Sequence, residues 1–193
     1  FESLKAQIEK YSIPFDYLIL GHGSVVVNRD MKLIKECSLA NELFNNILKF
    51  LKIYQEQIEK IRLYGVYQED VSCDSEKVTK LRVITKTLED AEAISKYITN
   101  NYGDSVKSYV MNAEKYVFVE IISIKTNKGK AIEEVLKIED IDNENVYTIG
   151  DGSNDIEMIK KYQGYGMANS EQCVLDIATK LYDNVYNLIA NII

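Results

Sequence analysis

The sequence predicts an α/β protein whose core domain is interrupted by an inserted α+β module. Strand patterns that end in polar loops and lead into helices flank a middle stretch of helix and alternating strands. Only two of the nine glycines, Gly65 and Gly103, lie in that stretch, and the other seven occupy four short loops outside it. Glycine allows tight turns and close backbone approach. We therefore expect residues 1–30 and 123–193 to form the core and residues 31–122 the inserted module.

Composition and charge argue against several classes of protein. The chain has 193 residues, 46% hydrophobic and 27% charged, with a net charge of −7. It has no dense Lys/Arg patch with interleaved aromatic residues and no apolar run of membrane-spanning length. We therefore expect neither a nucleic-acid partner nor a membrane, and no pattern indicates an oligomeric state. Three well-separated cysteines and a single histidine disfavour a zinc site and favour a reducing, cytoplasmic location.

The flanking segments alternate between helix and strand patterns. Apolar residues at helical spacing predict a helix over Phe1–Tyr11. The elements expected after it are a buried strand in "FDYLIL", the turn "GHGS" and a short strand in "VVV". Beyond the middle module we expect a helix from near Lys128, a strand over 146–149 and a helix from Ile156. The elements expected after these are a strand in "GYGMA", a helix over about 170–178 and a closing helix through Val185 to Ile192.

The middle module combines helices with antiparallel strands. Its apolar spacing predicts a long amphipathic helix from about Leu39 to Ile61. The elements expected after it are strands in "RLYGVYQ" and "LRVIT", a helix that ends at Gly103, and a hairpin of "SVKSYVMN" and "KYVFVEIIS" that turns near Asn112–Glu114. The polar linker Glu69–Lys77 carries no diagnostic motif.

The stretch "GDGSND", residues 150–155, follows a predicted strand and precedes a predicted helix. A dinucleotide fingerprint fits poorly, because Asp155 replaces its third glycine and would repel a pyrophosphate. A calcium loop fails because its sixth position would be Ile156 rather than glycine. A Mg²⁺ site serving a phosphate suits Asp151, Asp155 and Asn154 at a helix N-terminus. Simple helix capping is the plainer alternative, but two aspartates beside an asparagine exceed what a cap needs.

Several motifs together resemble the haloacid dehalogenase (HAD) superfamily, specifically its Cof-type, or IIB, subfamily. "GDGSNDIEMI" resembles the superfamily's fourth motif, GDxxND, and "TNKGKAI" resembles its third motif, in which a lysine begins a helix. That lysine, Lys128, stands 23 positions before Asp151. "FDYLILGHGSVV" and "GYGMANSEQCVLDIA" are similar to further segments of the subfamily. The resemblance implies a Rossmann-like, three-layer αβα core with an inserted C2-type cap.

The resemblance also implies an activity and roles for individual residues. Such enzymes are Mg²⁺-dependent phosphatases of sugar phosphates or similar small phosphorylated metabolites, and they act through a phospho-aspartate. Lys128 would neutralise the phosphate and the nucleophile, Asp151 would hold Mg²⁺ and Asp155 would support the metal shell. Asn154 would bind the phosphoryl group. Lys128 also makes physical sense beside an anion, because a cation at a helix N-terminus opposes the macrodipole.

The sequence departs from the family pattern in two places. The nucleophile motif DxDGT and the second motif are absent from the 193 residues, so we expect them on an upstream segment of about 40–50 residues. The turn "GHGS" has His22 where the family usually has asparagine. His22 and Gly23 are therefore candidates for substrate binding, and a turn histidine without a role is the alternative. Three hypotheses remain: a phosphatase, a non-catalytic phosphate-binding or regulatory protein, and a fragment of a longer enzyme.

Overall fold

The computed structural model describes residues 2–71, 77–113 and 115–192. The contacts between residues divide the chain into two compact units, Phe1–Thr126 and Asn127–Ile193. The predicted assignment of residues 1–30 to the same domain as residues 123–193 stays a prediction. Within the described residues, no helix is long and apolar enough to cross a membrane.

The first unit begins with a helix and a small antiparallel sheet. Its elements are α1 (Glu2–Tyr11), β1 (Tyr17–Leu20), β2 (Val25–Asn28) and β3 (Leu33–Glu36), with the strands in the order β1-β2-β3. The "GHGS" turn joins β1 to β2 through a short 3-10 turn, Gly21–Gly23. The three valines of β2 are buried, as expected for the apolar run in the sequence.

The rest of the first unit is a four-stranded antiparallel sheet with two helices. These elements are α2 (Asn41–Leu51), β4 (Ile58–Tyr64), β5 (Lys80–Thr85), α3 (Leu88–Tyr102), β6 (Val106–Ala113) and β7 (Tyr116–Ser123), with the strands in the order β4-β5-β7-β6. Alternate residues of the central strands, such as Leu81, Val83 and Ile121, are fully buried in a core shared with α2 and α3. Thr87 caps α3 by accepting from the backbone N–H of Asp90.

The second unit alternates helices with parallel strands. Its elements are α4 (Lys128–Glu139), β8 (Tyr147–Gly150), α5 (Ile156–Lys161), β9 (Gln163–Met167), α6 (Gln172–Leu175), β10 (Leu181–Tyr182) and α7 (Val185–Ile192). The sheet order is β10-β9-β8, and both pairings are parallel. This alternation confirms the predicted α/β class and places the carboxyl ends of three parallel strands at one sheet edge, where open α/β sheets bind ligands.

The long helix predicted over Leu39–Ile61 is wrong. The helix ends at Leu51, a 3-10 turn follows at Lys52–Tyr54, and β4 already begins at Ile58. Residues 58–64 pair with β5 along its length, so cross-strand pairing overrides an apolar spacing that also suited a helix.

Smaller differences also separate the predicted elements from the structure. Strands β3 and β10 were not predicted, and the helix expected over 170–178 covers only Gln172–Leu175. The hairpin of β6 and β7 is confirmed, with pairing that runs to Ala113↔Tyr116. Glu114 of the predicted turn lies outside the described residues. Residues 72–76 of the predicted linker, which include Cys73, also lie outside them.

Candidate active site

The "GDGSND" loop joins β8 to α5, and the carboxylate of Asp155 closes it. The Asp155 Oδ2 atom accepts hydrogen bonds from the backbone N–H groups of Asp151, at 3.1 Å, and Gly152, at 3.3 Å. Asp155 is only 3% exposed and packs directly over Gly150. A Cβ atom at Gly150 would lie 2.4 Å from that of Asp155, so glycine is required there by close approach. The loop conformation therefore depends on the Asp155 carboxylate, which accepts from the backbone N–H of Asp151 four residues earlier in the sequence.

Lys128 reaches the same carboxylate from the neighbouring helix. It is the first residue of α4, and the Asn127 side chain caps that helix by accepting from the backbone N–H of Lys130 at 3.0 Å. The Lys128 ammonium donates to Asp155 Oδ1. Both oxygens of Asp155 are therefore engaged, one by the loop and one by the lysine. This explains how two segments that are 27 residues apart in sequence hold a cation beside the loop.

Contacts between α4 and α5 support this arrangement. The Tyr162 hydroxyl, at the end of α5, donates to the Gly129 carbonyl oxygen at 3.0 Å in a buried position. Lys161 forms an exposed ion pair with Glu133 at 2.7 Å. The Tyr162 contact joins the first turn of α4, and thus Lys128, to the end of α5, and the Lys161 ion pair joins the second turn to the same helix.

Asp151 and Asn154 complete the predicted set in this unit. Asp151 is exposed, and within the described parts of the chain its carboxylate has no hydrogen-bond or ion-pair partner. Asn154 is half-buried, and its Oδ1 atom would lie 3.1 Å from a Cβ added at Gly152. The structure therefore brings Lys128, Asp151, Asn154 and Asp155 together around one loop.

Two residues beyond the predicted set also hold the loop. The Glu171 carboxylate accepts from the backbone N–H of Ser153 at 3.1 Å, and its own N–H donates to the Asp151 carbonyl oxygen at 2.8 Å. The Ser170 hydroxyl donates to the Gly150 carbonyl oxygen at 3.3 Å. In the sequence these two residues, Ser170 and Glu171, are a polar pair between β9 and the next helix. Such a pair also fits ordinary helix capping, so it did not indicate a role at the loop.

His22 and Gly23 belong to the first unit, and His22 has a partner there. Its backbone is left-handed, with φ of 59°, and its ring stacks on Tyr109 at 5.2 Å between centroids. The His22 Nε2 atom contacts a carboxylate oxygen of Glu120. Gly23 is buried with φ of 98°, a conformation that favours glycine. Substrate binding by His22 and Gly23 stays a prediction.

Glu120 is the centre of a cluster that sequence reasoning missed. It is 3% exposed, and its Oε1 atom accepts from Lys80 Nζ at 2.7 Å and from Arg82 Nε at 2.9 Å. Burial alone would raise the pKa of this carboxyl, but the hydrogen bond from His22 and the charge of Lys80 outweigh it and hold the pKa far below its usual value. The cluster residues are scattered through the sequence and meet only in the folded unit.

The residues of the loop fit a divalent cation as partial ligands. No group of three or more His, Cys, Asp or Glu side chains within the described ranges could hold a metal by itself. Mg²⁺, however, keeps several waters and is usually bound through one or two carboxylates and substrate phosphates. The unpartnered Asp151 carboxylate suits that role, whereas the oxygens of Asp155 already serve Lys128 and the loop.

A family model and two related sequences match this chain. Residues 64–190 match the family model of haloacid dehalogenase-like hydrolases. An uncharacterized protein of Mycoplasma capricolum is 23% identical over 220 residues, which span 97% of this chain and 81% of that protein. The "Putative phosphatase YxeH" of Bacillus subtilis is 28% identical over 136 residues, which span 69% of this chain and 48% of that protein.

Solved structures share the fold. A haloacid dehalogenase-like hydrolase from Bacteroides thetaiotaomicron aligns with a TM-score of 0.74 and 18% identity, over 100% of this chain and 82% of its own. A HAD subclass IIB sugar phosphatase aligns with a TM-score of 0.76 and 13% identity, over 97% of this chain and 79% of its own. At these identities the likeness shows the fold alone, a Rossmann-like core of the type predicted.

Proposed function

The chain belongs to the haloacid dehalogenase-like hydrolases, and from that premise we propose that it is the larger part of a Mg²⁺-dependent phosphatase. The proposed substrates are sugar phosphates or similar small phosphorylated metabolites. The sugar phosphatase among the similar structures and the phosphatase name of the Bacillus relative support this class. The cytoplasmic location and the lack of nucleic-acid or membrane partners stay predictions.

The observation that carries the proposal is the position of Lys128. An ammonium group has three N–H donors, and the contact with Asp155 uses one of them. The remaining donors can contact phosphate oxygens, while Asp155 fixes the direction of the side chain. Phosphoryl transfer depends mainly on positioning and on cations that match the charge of the equatorial oxygens, so a held lysine is the appropriate group.

The other residues of the loop have complementary roles in the proposal. Asn154 contacts the phosphoryl group, and Asp151 contributes a carboxylate to Mg²⁺, which would neutralise phosphate charge when bound. Asp155 stands behind Asp151, because its Oδ2 atom holds the Asp151 N–H. In this proposal an aspartate on the expected upstream segment attacks phosphorus, the ester P–O bond breaks, and the leaving alkoxide takes a proton from water. A second water then attacks phosphorus of the phospho-aspartate and breaks its P–O bond, which releases phosphate and regenerates the carboxylate.

Phosphate release from p-nitrophenyl phosphate and a panel of sugar phosphates tests the proposal. We expect the 193-residue chain alone to be inactive, and the polypeptide with its upstream coding sequence to be active with Mg²⁺ and inactive with EDTA. In that longer polypeptide, Lys128→Ala should lower kcat by about 10²-fold or more, the scale for removing one preorganised charge stabiliser. Lys130→Ala is the matched control, because Lys130 lies two residues further along the same helix and is exposed.

Two outcomes would contradict the proposal. Activity of the 193-residue chain equal to that of the longer polypeptide would place the nucleophile among the residues described above. If the longer polypeptide binds phosphate but hydrolyses no phosphate ester with Mg²⁺, the non-catalytic, phosphate-binding hypothesis replaces it.

A further inference from the structure

The chain segment that follows β9 returns to the "GDGSND" loop and holds backbone atoms that Asp155 does not reach. The Ser170 hydroxyl donates to the Gly150 carbonyl oxygen at 3.3 Å, and the backbone N–H of Glu171 donates to the Asp151 carbonyl oxygen at 2.8 Å. Asp155 accepts from the N–H of the same Asp151 at 3.1 Å. Both backbone polar groups of Asp151 are therefore held, whereas its carboxylate has no partner within the described parts of the chain.

The Glu171 side chain contacts this loop and not its own helix. Glu171 occupies the N-cap position of α6, where a side chain usually accepts from the first N–H groups of the helix. Within residues 115–192 the Glu171 carboxylate makes no such bond, and its Oε2 atom accepts from the Ser153 N–H at 3.1 Å instead. Its Oε1 atom lies 3.4 Å from the position that a Cβ atom would take at Gly152. Ordinary helix capping therefore does not explain this side chain.

The two hydrogen bonds of Glu171 enclose one residue of the loop. Its N–H holds Asp151 and its carboxylate holds Ser153, so Gly152 lies between two bonds made by a single residue. A backbone held on both sides of Gly152 limits the directions that the Asp151 carboxylate can take. A ligand that is already oriented binds more tightly, because less conformational freedom is lost on binding.

We propose that Glu171 is a positioning residue for Asp151, and that it raises the affinity of the loop for Mg²⁺ without binding the cation itself. The inference rests on the proposed function, because it takes Asp151 as the carboxylate that contacts Mg²⁺. Groups that orient a metal ligand from behind commonly set metal affinity in this way. Apart from the loop, the polar partner of the Glu171 carboxylate among the described residues is the Cys173 thiol, at 3.7 Å. Substitution of Glu171 therefore leaves the contact between Lys128 and Asp155 in place.

Calorimetric titration of the longer polypeptide with Mg²⁺ tests this role. Glu171→Ala removes the bond to Ser153 and should raise the Kd for Mg²⁺ about tenfold, the lower end of the range for residues behind a metal ligand. Glu171→Gln keeps an oxygen that can accept from the Ser153 N–H, so its Kd should stay within about threefold of wild type. Gln172→Ala is the matched control and should bind Mg²⁺ as wild type does, because the Gln172 side chain contacts Asp176 and not the loop.

Two further readouts separate positioning from a general loss of folding. In ¹⁵N-labelled protein without Mg²⁺, the backbone order parameters of Asp151, Gly152 and Ser153 should fall in Glu171→Ala from about 0.85, the value for rigid backbone, to below about 0.7. Those of β8 should not change. In the phosphatase assay, a higher Mg²⁺ concentration should recover the activity that Glu171→Ala loses, but not the activity that Lys128→Ala loses.

The possible outcomes distinguish this inference from the catalytic proposal. Equal Kd values for wild type and Glu171→Ala, with Mg²⁺ bound by both, would overturn the inference and leave the proposed function standing. Equal weakening in Glu171→Ala and Glu171→Gln would show that the charge of Glu171 acts, rather than its hold on the loop, and would also overturn the inference. If the wild-type polypeptide binds no Mg²⁺, the proposed function fails and this inference fails with it.

Discussion

Two carboxylates, Asp155 in the second unit and Glu120 in the first, are equally buried at 3% exposure but are satisfied in different ways. Asp155 accepts from two backbone N–H groups of its own loop and from one lysine. Among the described residues, the Glu120 carboxylate is contacted by side chains alone, His22 of the β1–β2 turn and Lys80 and Arg82 of β5. The comparison teaches that Asp155 mainly shapes the backbone, whereas Glu120 mainly balances charge. Removing each should therefore have different consequences.

The largest expected effect follows the loss of charge at Glu120. Glu120→Gln keeps the size of the side chain but leaves the half-buried Lys80 and Arg82 without their shared counter-ion. Breaking a fully buried ion pair from one side costs about 3–5 kcal/mol, and because both cations are partly exposed we expect a loss near the lower end of that range in the free energy of unfolding. Urea unfolding, with hydrogen exchange to locate the change in the first unit, measures it. Glu92→Gln, an exposed control on α3, should stay within about 0.5 kcal/mol of wild type.

Lowering the pH should remove the contribution of the Glu120 charge to the free energy of unfolding without a mutation. The pKa of Glu120 is held below its usual 4.5 by His22 and Lys80 against the effect of burial. A carboxyl whose folded-state pKa is depressed stabilises the fold above its unfolded-state pKa, and this stability is lost as pH falls towards the folded-state value. The difference in unfolding free energy between wild type and Glu120→Gln should therefore shrink as the pH falls below about 4.5. A difference that does not change between pH 7 and pH 3 would contradict this.

In the second unit, the comparable test of Asp155 is a steric one, a Cβ atom added at Gly150. Gly150→Ala places a Cβ atom 2.4 Å from that of Asp155, so either the loop or Asp155 must move. We expect a loss of about 1–3 kcal/mol, as for overpacking elsewhere, together with loosened contact between Asp155 and Lys128. Gly152→Ala is the control, because its added Cβ would meet only the ends of flexible side chains at 3.1 Å or more. Equal losses in the two variants, measured by urea unfolding, would show that Asp155 does not determine the loop.

The smallest expected effect concerns the contact between α4 and α5. Tyr162→Phe removes the buried hydrogen bond to the Gly129 carbonyl oxygen and should cost about 1 kcal/mol. Tyr186→Phe, at a residue that is 76% exposed, should have no measurable effect on unfolding. If the two substitutions are equivalent, this contact does not contribute to positioning Lys128.

The two carboxylates also show what could be predicted from the sequence. The loop of Asp155 is local: a strand, two glycines, paired acids and a helix start lie within about ten residues. Such a pattern carries its own geometry, so the loop could be located from the sequence, whereas Lys128 was singled out by the resemblance of "TNKGKAI" to the third motif of the superfamily. Glu171 was missed because its role depends on the return of the chain after β9, which no local pattern encodes.

The Glu120 cluster could not be predicted for a related reason. Glu120 stands 98 positions from His22 and about 40 from Lys80 and Arg82, and only the sheet register brings them together. Each of these residues is unremarkable in the sequence, because charged residues in strands usually face water. The incorrect helix over 39–61 has the same origin, since pairing with β5 decided the conformation of residues 58–61. Long-range pairing therefore set the limit of prediction in the first unit.

The β6–β7 hairpin has a consequence for the order in which the first unit assembles. Its eight registered pairs run from Val106↔Ser123 to Ala113↔Tyr116, with two residues between the strands. Closing so short a connection costs little chain entropy, and hairpins form within microseconds. Strand β5 must instead close a connection that contains α3 before it can pair with β7. From these connection lengths we expect the hairpin that carries Glu120 to form before β5 brings Lys80 and Arg82 to it, so that both cations meet a carboxylate when the sheet closes.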